Sequence, residues 1–438
     1  MRIVLISEVF ARNMGYLENV LPRYLARLGA EVDVLASSLP PNYRQDPRQE
    51  TYRNFQDPVS PGSIEAIDGF RLHVLGHKQT FGHVRLRGLR RKLEELRPQI
   101  VQIMTPIGWI AIDAALHRLR SGYRLFSGCH YHASVFPLAQ AELAPLSRER
   151  LRCLAERGLH GRMVSWLTEK CYAIAPDCAE VAARFFGVPR GKLEICPLGV
   201  DTELFHPVSD RDEAEARKQL RGRFGFWEED IVCVYSGRFT PDKNPLCLAR
   251  AVAERNRDGE PFRGLFIGQG TQGEEIARCP GCAVQPFVPV GELPAFYRAS
   301  DIAVWPAEES MSMLDAAACG LPIIANHRMG APERLAGCGL TYQLGDAGDL
   351  ATKLWSLRSA EERKRLGSYG AWRMKEEYSW EEIAIRRMAD YSAALAGEKI
   401  RRQNPAAVMP LPPARTEALT VDSRWQAGRA RQNDRPRA

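Results

Sequence analysis

The chain has 438 residues, 45% hydrophobic and 26% charged, with a formal net charge of +7. That length calls for two or three domains, and the composition is that of a globular protein, not of a disordered, collagen-like or disulfide-scaffold chain. No apolar run approaches the roughly 18–20 residues of a membrane-spanning helix, and MRIVLISEVF at the start reads as a first strand and not as a signal peptide, so a cytoplasmic chain is expected.

In chain order, RIVLISE is a buried strand, ENVLPRYLARLGA an amphipathic helix stopped at Gly29, and EVDVLAS the next strand. Such a unit predicts parallel pairing through a right-handed crossover. Residues 40–63 are polar and Pro-rich, an irregular insertion. FRLHVLG follows as a strand, GHVRLRGLRRKLEELRP as a basic amphipathic helix, IVQIM as a strand, IGWIAIDAALHRLR as a helix and YRLFSGC as a strand. The charged segment from about Pro137 to Arg157 reads as helix ending at Gly158. The helix MVSWLTEKC, the strand YAIAP, the helix CAEVAARFFGV and the short strand KLEICPLG complete a first domain over 1–203.

Residues 204–228 form a linker containing a helix, and the alternation then restarts over 229–378. DIVCVYSGR, RGLFIGQ, AVQPFV, ASDIAVWP, PIIA and TYQL are strands; PLCLARAVAER, GEEIAR, ELPAFYRAS, SMLDAAACG, DAGDLATKLWSLRS and SAEERKRLGSYGAWRMKEE are helices. A last helix spans 379–398. Alternation of this kind predicts two doubly wound parallel sheets with a ligand cleft between the domains. The 11 cysteines, scattered in apolar contexts, suit reduced thiols. Cys279-Pro-Gly-Cys282 lacks the second pair that zinc would want and reads as two thiols at a turn. The tail over 399–438 holds nine Lys/Arg against three Asp/Glu, so it carries most of the net charge. It is expected to be disordered, and the near-neutral body gives no argument for nucleic acid.

Two stretches carry candidate chemistry. DIVCVYS runs into SGRFTPDKN, which puts Gly237, Arg238 and Lys243 at the carboxyl end of a strand, the edge that faces ligands in open α/β sheets. Arg offers a rigid fork to phosphate oxygens and Lys a mobile charge. Between Trp305 and Glu333 the chain reads strand end, loop, helix, turn, strand, with Glu308, Glu309 and Ser310 as loop and N-cap residues. The start of that helix, around Ser310, Met311 and Ser312, offers backbone N–H groups to an anion.

SGRFTPDKN, LFIGQG, ELPAFYRASDIAVWP, LDAAACGLPIIA, GAPE and ICPLGVDTELFHP, in this order and spacing, resemble glycosyltransferase family 4, and the resemblance spans roughly residues 1–396. It implies the GT-B fold, two Rossmann-like domains facing a cleft, with the helix after YSW crossing back to the first domain. It implies transfer of a sugar, with retained configuration, from a UDP-, GDP- or ADP-sugar to a glycan, lipid-linked or small-molecule acceptor in polysaccharide or glycoconjugate synthesis, without an obligatory metal. By the same resemblance Arg238 and Lys243 hold the diphosphate, Asp315 the ribose, and His130, with His132 as the other choice, the donor sugar. The family's first glutamate, eight positions before Asp315, falls on Ala307; either Glu308 or Glu309 takes its place after a shorter loop. Pro289 stands where the family commonly has Gly. Gly15, after the first strand, can let backbone approach phosphate or acceptor; Glu18 reads as an ordinary first-turn acid.

The basic helix of His83, Arg85, Arg87, Arg90, Arg91 and Lys92 is either a solvated face or a contact with the inner face of an anionic membrane. Two alternatives to transfer stay open on sequence: a nucleotide-sugar-binding protein with an impaired site, for which Ala307 argues, and a sugar-nucleotide epimerase on the same fold.

Overall fold

The computed structural model describes residues 1–12, 15–39, 60–80, 83–133, 136–140, 147–307, 309–329, 331–398 and 400. It divides into two compact units, Met1–Pro405 and Ala406–Ala438. The second unit, most of the 40–63 insertion, Asn13, Met14 and Glu308 lie outside the described residues.

The first unit is built on two sheets. One has eight strands in the order Leu193–Ile195, Cys171–Ala173, Arg124–Cys129, Ile100–Ile103, Arg2–Ile6, Glu31–Ser37, Phe70–Leu75 and Ile64–Ile67. Only the last pair is antiparallel. The other has six parallel strands, in the order Cys282–Gln285, Phe262–Ile267, Ile231–Ser236, Ile302–Trp305, Ile323–Asn326 and Gly339–Tyr342. Runs such as IVCVYS and IAVW are buried at every position because helices cover both faces, as parallel sheets require.

The strand order reverses once in each sheet. Ile231–Ser236 has Phe262–Ile267 on one flank and Ile302–Trp305 on the other. Arg2–Ile6 sits likewise between Glu31–Ser37 and Ile100–Ile103. Such a reversal opens a crevice at the carboxyl ends of the strands, where ligands bind.

Two predicted elements are corrected. His83–Leu86 is a strand paired antiparallel with His77–Thr80, and helix occupies only Leu89–Leu96. The alternation His-Val-Arg-Leu buries Val84 and Leu86 on one face, a period of two that the basic run obscured. Gly158 does not end a helix: the chain is helical from Arg148 to Trp166 through a π turn at Leu154–Gly158. That glycine serves packing, since a Cβ there would lie 2.7 Å from Leu154 Cδ1 and 3.4 Å from the Phe185 carbonyl.

The helix Trp380–Ala396 leaves the second sheet and packs into the core of the first, where Trp380, Ile383, Tyr391 and Ala394 are buried beside Leu21, Tyr24 and Leu25. At its start Val200 N donates to Tyr378 O (2.8 Å) and Trp380 N to Val200 O (3.1 Å). Gly199 is obligatory for this crossing, because a Cβ would lie 2.7 Å from the Trp380 ring. Farther along, Lys170 Nζ reaches Asp390 (3.0 Å) and Glu194 (2.5 Å), and the Tyr172 hydroxyl donates to Asp390 (2.6 Å). Arg387 lies over the Tyr172 ring and donates to Gln102 (3.3 Å).

Candidate active site

The site is assembled at the switch point of the second sheet. Gly237 takes φ 148°, and a Cβ there would meet the Tyr235 hydroxyl at 2.8 Å, so this turn needs glycine. The same hydroxyl donates to Arg238 O (2.9 Å). Phe239, fully buried, pins the loop: its N–H donates to Gln269 O (2.9 Å) and its carbonyl accepts from Gln272 N (2.9 Å). Arg238 and Lys243 flank it, both half-buried. Arg238 Nη2 lies 3.1 Å from Asp242, a short-range partner that leaves much of the guanidinium fork unused.

The neighbouring strand, Ile302–Trp305, delivers the second stretch to the same edge. Ser236 and Tyr297 share a hydrogen bond (2.6 Å), Tyr297 also bonds Ser312, and Ser312 bonds Ser310 (2.7 Å). A polar chain thus ties the end of one strand to the start of the helix Ser312–Ala318. Met311 occupies the N-cap, with no side-chain cap. Ser310 still lies at the helix start, where its hydroxyl accepts from Ser312 N (3.4 Å), but the expected N-cap role of Glu309 is corrected. The Glu309 carboxylate instead accepts from Ala331 N (3.0 Å) and lies 3.4 Å from Arg334. Those partners arrive on a later loop, a competition that local capping rules do not see.

Asp315 lies one turn into this helix, half-buried, with no hydrogen bond to its carboxyl among the described residues. Burial, then the nearby Asp201, push its pKa up to about 8. Asp201 belongs to the interlobe segment, where it pairs with Arg23 and accepts from the Tyr24 hydroxyl (2.9 Å). Because the folded pKa lies above the unfolded value of 3.8, ionising Asp315 works against folding. Between pH 3.8 and about 8 this group lowers stability by up to about 1.4 kcal/mol per pH unit. Asp315→Asn is thus expected to raise the ligand-free melting midpoint at pH 8 and leave it nearly unchanged at pH 4. Thermal unfolding at the two pH values checks this; equal shifts at both would contradict it.

The first sheet supplies the opposite wall. Gly15 is exposed, and a Cβ on it would come 3.6 Å from Val290 Cγ2, next to Pro289 of the second sheet. Glu18, three residues on, is the expected first-turn acid of the helix Leu17–Arg27, and burial pushes its carboxyl up to about 7. His130 follows Arg124–Cys129, and Gly128 clears space for its ring, since a Cβ there would lie 3.3 Å from Nε2. Burial, then the charge of Arg387, depress the His130 pKa to about 4, so the ring is neutral near pH 7. His132, the other choice, has a carboxylate partner. Its Nδ1 lies 3.1 Å from Asp177, whose carboxylate also accepts from Ala133 N (3.0 Å). The Cys178 thiol completes a trio with donor atoms within 4.8 Å of one another. The carboxylate is thus engaged in tying the His132–Ala133 segment to the first turn of the helix Pro176–Phe185, and burial raises the thiol's pKa.

Arg238 and Asp315 thus follow the two adjacent strands at the switch point, Arg238 with Gly237 and Lys243 on one segment and Asp315 with Ser310, Met311 and Ser312 on the other. His130 and Gly15 end on the carboxyl edge of the other sheet. Sequence reasoning missed Asp201, Arg334 and Arg387; only Asp201, inside the PLGVD segment, had a local motif to announce it.

Two doubly wound sheets with a crevice at each switch point define a GT-B protein. Solved structures agree: sucrose-phosphate synthase from Thermosynechococcus elongatus superposes with a TM-score of 0.64 over 91% of this chain and 100% of that one, at 19% identity. Anabaena HepE in complex with UDP gives 0.62 over 90% and 100%, at 14%. At such identities the likeness establishes the fold. Residues 21–204 match Glycosyltransferase Family 4, and residues 230–359 match Glycosyl transferases group 1. The chain belongs to the family 4 type of glycosyltransferase. D-inositol 3-phosphate glycosyltransferase of Rhodococcus erythropolis is 30% identical over 308 residues, 66% of this chain. The GDP-mannose-dependent alpha-(1-6)-phosphatidylinositol monomannoside mannosyltransferase of Mycolicibacterium smegmatis is 28% identical over 241 residues, 51% of this chain. The matches span 65% and 57% of those relatives' lengths.

Proposed function

We propose that the chain transfers a sugar, with retained configuration, from a nucleoside diphosphate sugar to an acceptor hydroxyl. The observation that carries this is the topological switch point at the adjacent strands Ile231–Ser236 and Ile302–Trp305. The segments that follow them carry Arg238, which pairs with Asp242, and Asp315, whose carboxyl has no hydrogen bond among the described residues. Arg238 and Lys243 hold the diphosphate, and Asp315 accepts from ribose hydroxyls. Neutral His130 donates or accepts a hydrogen bond at the sugar. The bond from the anomeric carbon to the phosphate oxygen breaks with its electron pair going to the phosphate. The acceptor oxygen bonds to that carbon from the same face, and its proton passes to the departing phosphate, so no strong protein base is needed. Positive charge at Arg238 and Lys243 is worth most as the leaving group's charge grows.

The named relatives are transferases, which favours transfer over the impaired binding protein or the epimerase. The donor base, the sugar and the acceptor are assigned by one assay: nucleoside diphosphate release from UDP-, GDP- and ADP-sugars with and without an acceptor panel. Acceptor-dependent release with a glycosylated product is expected. Conversion of the donor without acceptor supports the epimerase, and binding without turnover the impaired protein.

Peripheral membrane contact is proposed for the outer face of the first lobe. There Lys78, Arg85, Arg87, Arg90 and Arg120 line a cavity of about 690 Å³ beside exposed Leu116 and Leu119. No described helix is long and apolar enough to cross a membrane. Flotation with vesicles rich in acidic phospholipid, weakened by salt and by Arg87→Glu with Arg90→Glu, is expected; equal flotation with neutral vesicles would contradict it.

A further inference from the structure

Cys279, Pro280, Gly281 and Cys282 join the helix Gly273–Arg278 to Cys282–Gln285, the edge strand of the six-stranded sheet. Cys282 N donates to Cys279 O (3.2 Å), which closes a four-residue turn. Its third residue, Gly281, takes φ 79°. Proline at the second position and a left-handed glycine at the third are what a type II turn demands. In a turn so closed the first and fourth Cα atoms lie within about 7 Å, and a disulfide spans about 4.4–6.8 Å. The backbone therefore already holds the two cysteines at bridging distance.

The other nine cysteines are buried, whereas Cys279 and Cys282 are half-buried. Both pack against the core around the six-stranded sheet. Cys282 Sγ lies 3.7 Å from Ala249 O and Cys279 Sγ 3.4 Å from Glu275 O. Neither contact holds its sulfur firmly, since a thiol is a weak donor. On the neighbouring strand Gly264 leaves room beside Cys282, where a Cβ would lie 3.1 Å from the sulfur. Cys279 is the outer thiol of the two. Burial raises both pKa values, that of Cys282 to about 12, while the charge of Arg250 works the other way at Cys279. Solvent access and positive charge favour attack by a thiolate, which casts Cys279 as the attacking group and Cys282 as the resolving one. Among the described residues no His, Asp or Glu completes a three-ligand set with the pair, so it falls short of a metal site.

We propose that Cys279 and Cys282 form a reversible dithiol–disulfide site, reduced in a reducing compartment and oxidised by glutathione disulfide when the redox poise shifts. The Cys279 thiolate attacks one sulfur of glutathione disulfide, and the first glutathione leaves as its thiolate. The Cys282 thiolate then attacks the Cys279 sulfur of the mixed disulfide and expels the second glutathione. Two electrons pass from the pair to the oxidant, and the two departing thiolates take up the two protons that the cysteines gave up. The step needs no sugar nucleotide, so it stands apart from the transfer reading.

The full chain is equilibrated in mixtures of glutathione and glutathione disulfide, folded and again in urea, then alkylated in denaturant and mapped by mass spectrometry. A disulfide between Cys279 and Cys282 is expected in the folded chain, reversed by added glutathione, with the other cysteines still reduced. Its equilibrium constant is expected to be at least about 10-fold larger in the folded chain than in urea, the ratio by which a preorganised bridge favours the fold. Cys282→Ser is expected to accumulate the mixed disulfide with glutathione at Cys279. Cys279→Ser is expected to be modified at Cys282 at least about 10-fold more slowly. An unmodified parent, glutathione adducts on the parent without ring closure, equal constants in the folded and unfolded chains, or equally fast modification of the two serine variants overturns the proposal.

Discussion

Arg238→Ala is expected to lower kcat for sugar transfer by about 10²–10³-fold, the usual cost of removing one preorganised donor to developing negative charge. The structure makes the result easy to interpret. The Arg238 side chain is 30% exposed, and its charged partner is Asp242, itself exposed. Such surface pairs contribute about 0–1 kcal/mol, so the melting midpoint should hardly move. A large loss of activity with an unchanged midpoint isolates the chemical role. Arg238→Lys keeps the charge but loses the planar fork and is expected to recover only part of the rate. Normal transfer by the alanine variant would remove Arg238 from the mechanism.

The second large effect falls on stability. Asp390→Ala is expected to cost about 1–3 kcal/mol, because it leaves the buried Tyr172 hydroxyl and one donor of Lys170 without an acceptor, while Glu194 still balances the lysine's charge. Lys170 and Asp390 are 7% and 5% exposed, and Asp390 also accepts from Tyr172. Their contact spans 220 positions and pins the returning helix Trp380–Ala396 to the first sheet. Urea unfolding of the parent and variant measures the cost. The double variant Asp390→Leu with Lys170→Met should lose more than Asp390→Ala alone, since it strands the buried Glu194 carboxylate without its lysine. A loss under 1 kcal/mol for Asp390→Ala would mean that this network does not anchor the helix.

The residues most readable from sequence were those whose chemistry is local. Apolar strands bounded by turn residues located the sheet edges, and Arg238 followed because it comes two residues after a buried strand. Asp315 came only from the resemblance to family 4. The failures came from contacts distant in sequence. Glu309 looked like a capping acid because capping is decided within one turn, yet its partners lie 22 and 25 positions away. Arg334 gave no signal, since its second partner is 160 positions upstream in the other lobe. Gly158 looked like a helix stop because a glycine that fits tight packing and one that breaks a helix are identical in one dimension. The acidity of Glu18 and the basicity of His130 are set by burial, which no local pattern encodes.

The central claim is a nucleoside diphosphate site at the switch point of the second sheet. Thermal-shift titration of UDP, GDP and ADP and their sugars against the parent, Arg238→Ala and Asp315→Ala tests it most directly. A ligand at 100 times its dissociation constant adds about 2.7 kcal/mol, so one base is expected to raise the parent midpoint clearly. The same nucleotide should lose most of that effect in either variant. The contradicting result is a parent that no nucleoside diphosphate stabilises, or variants that respond as the parent does.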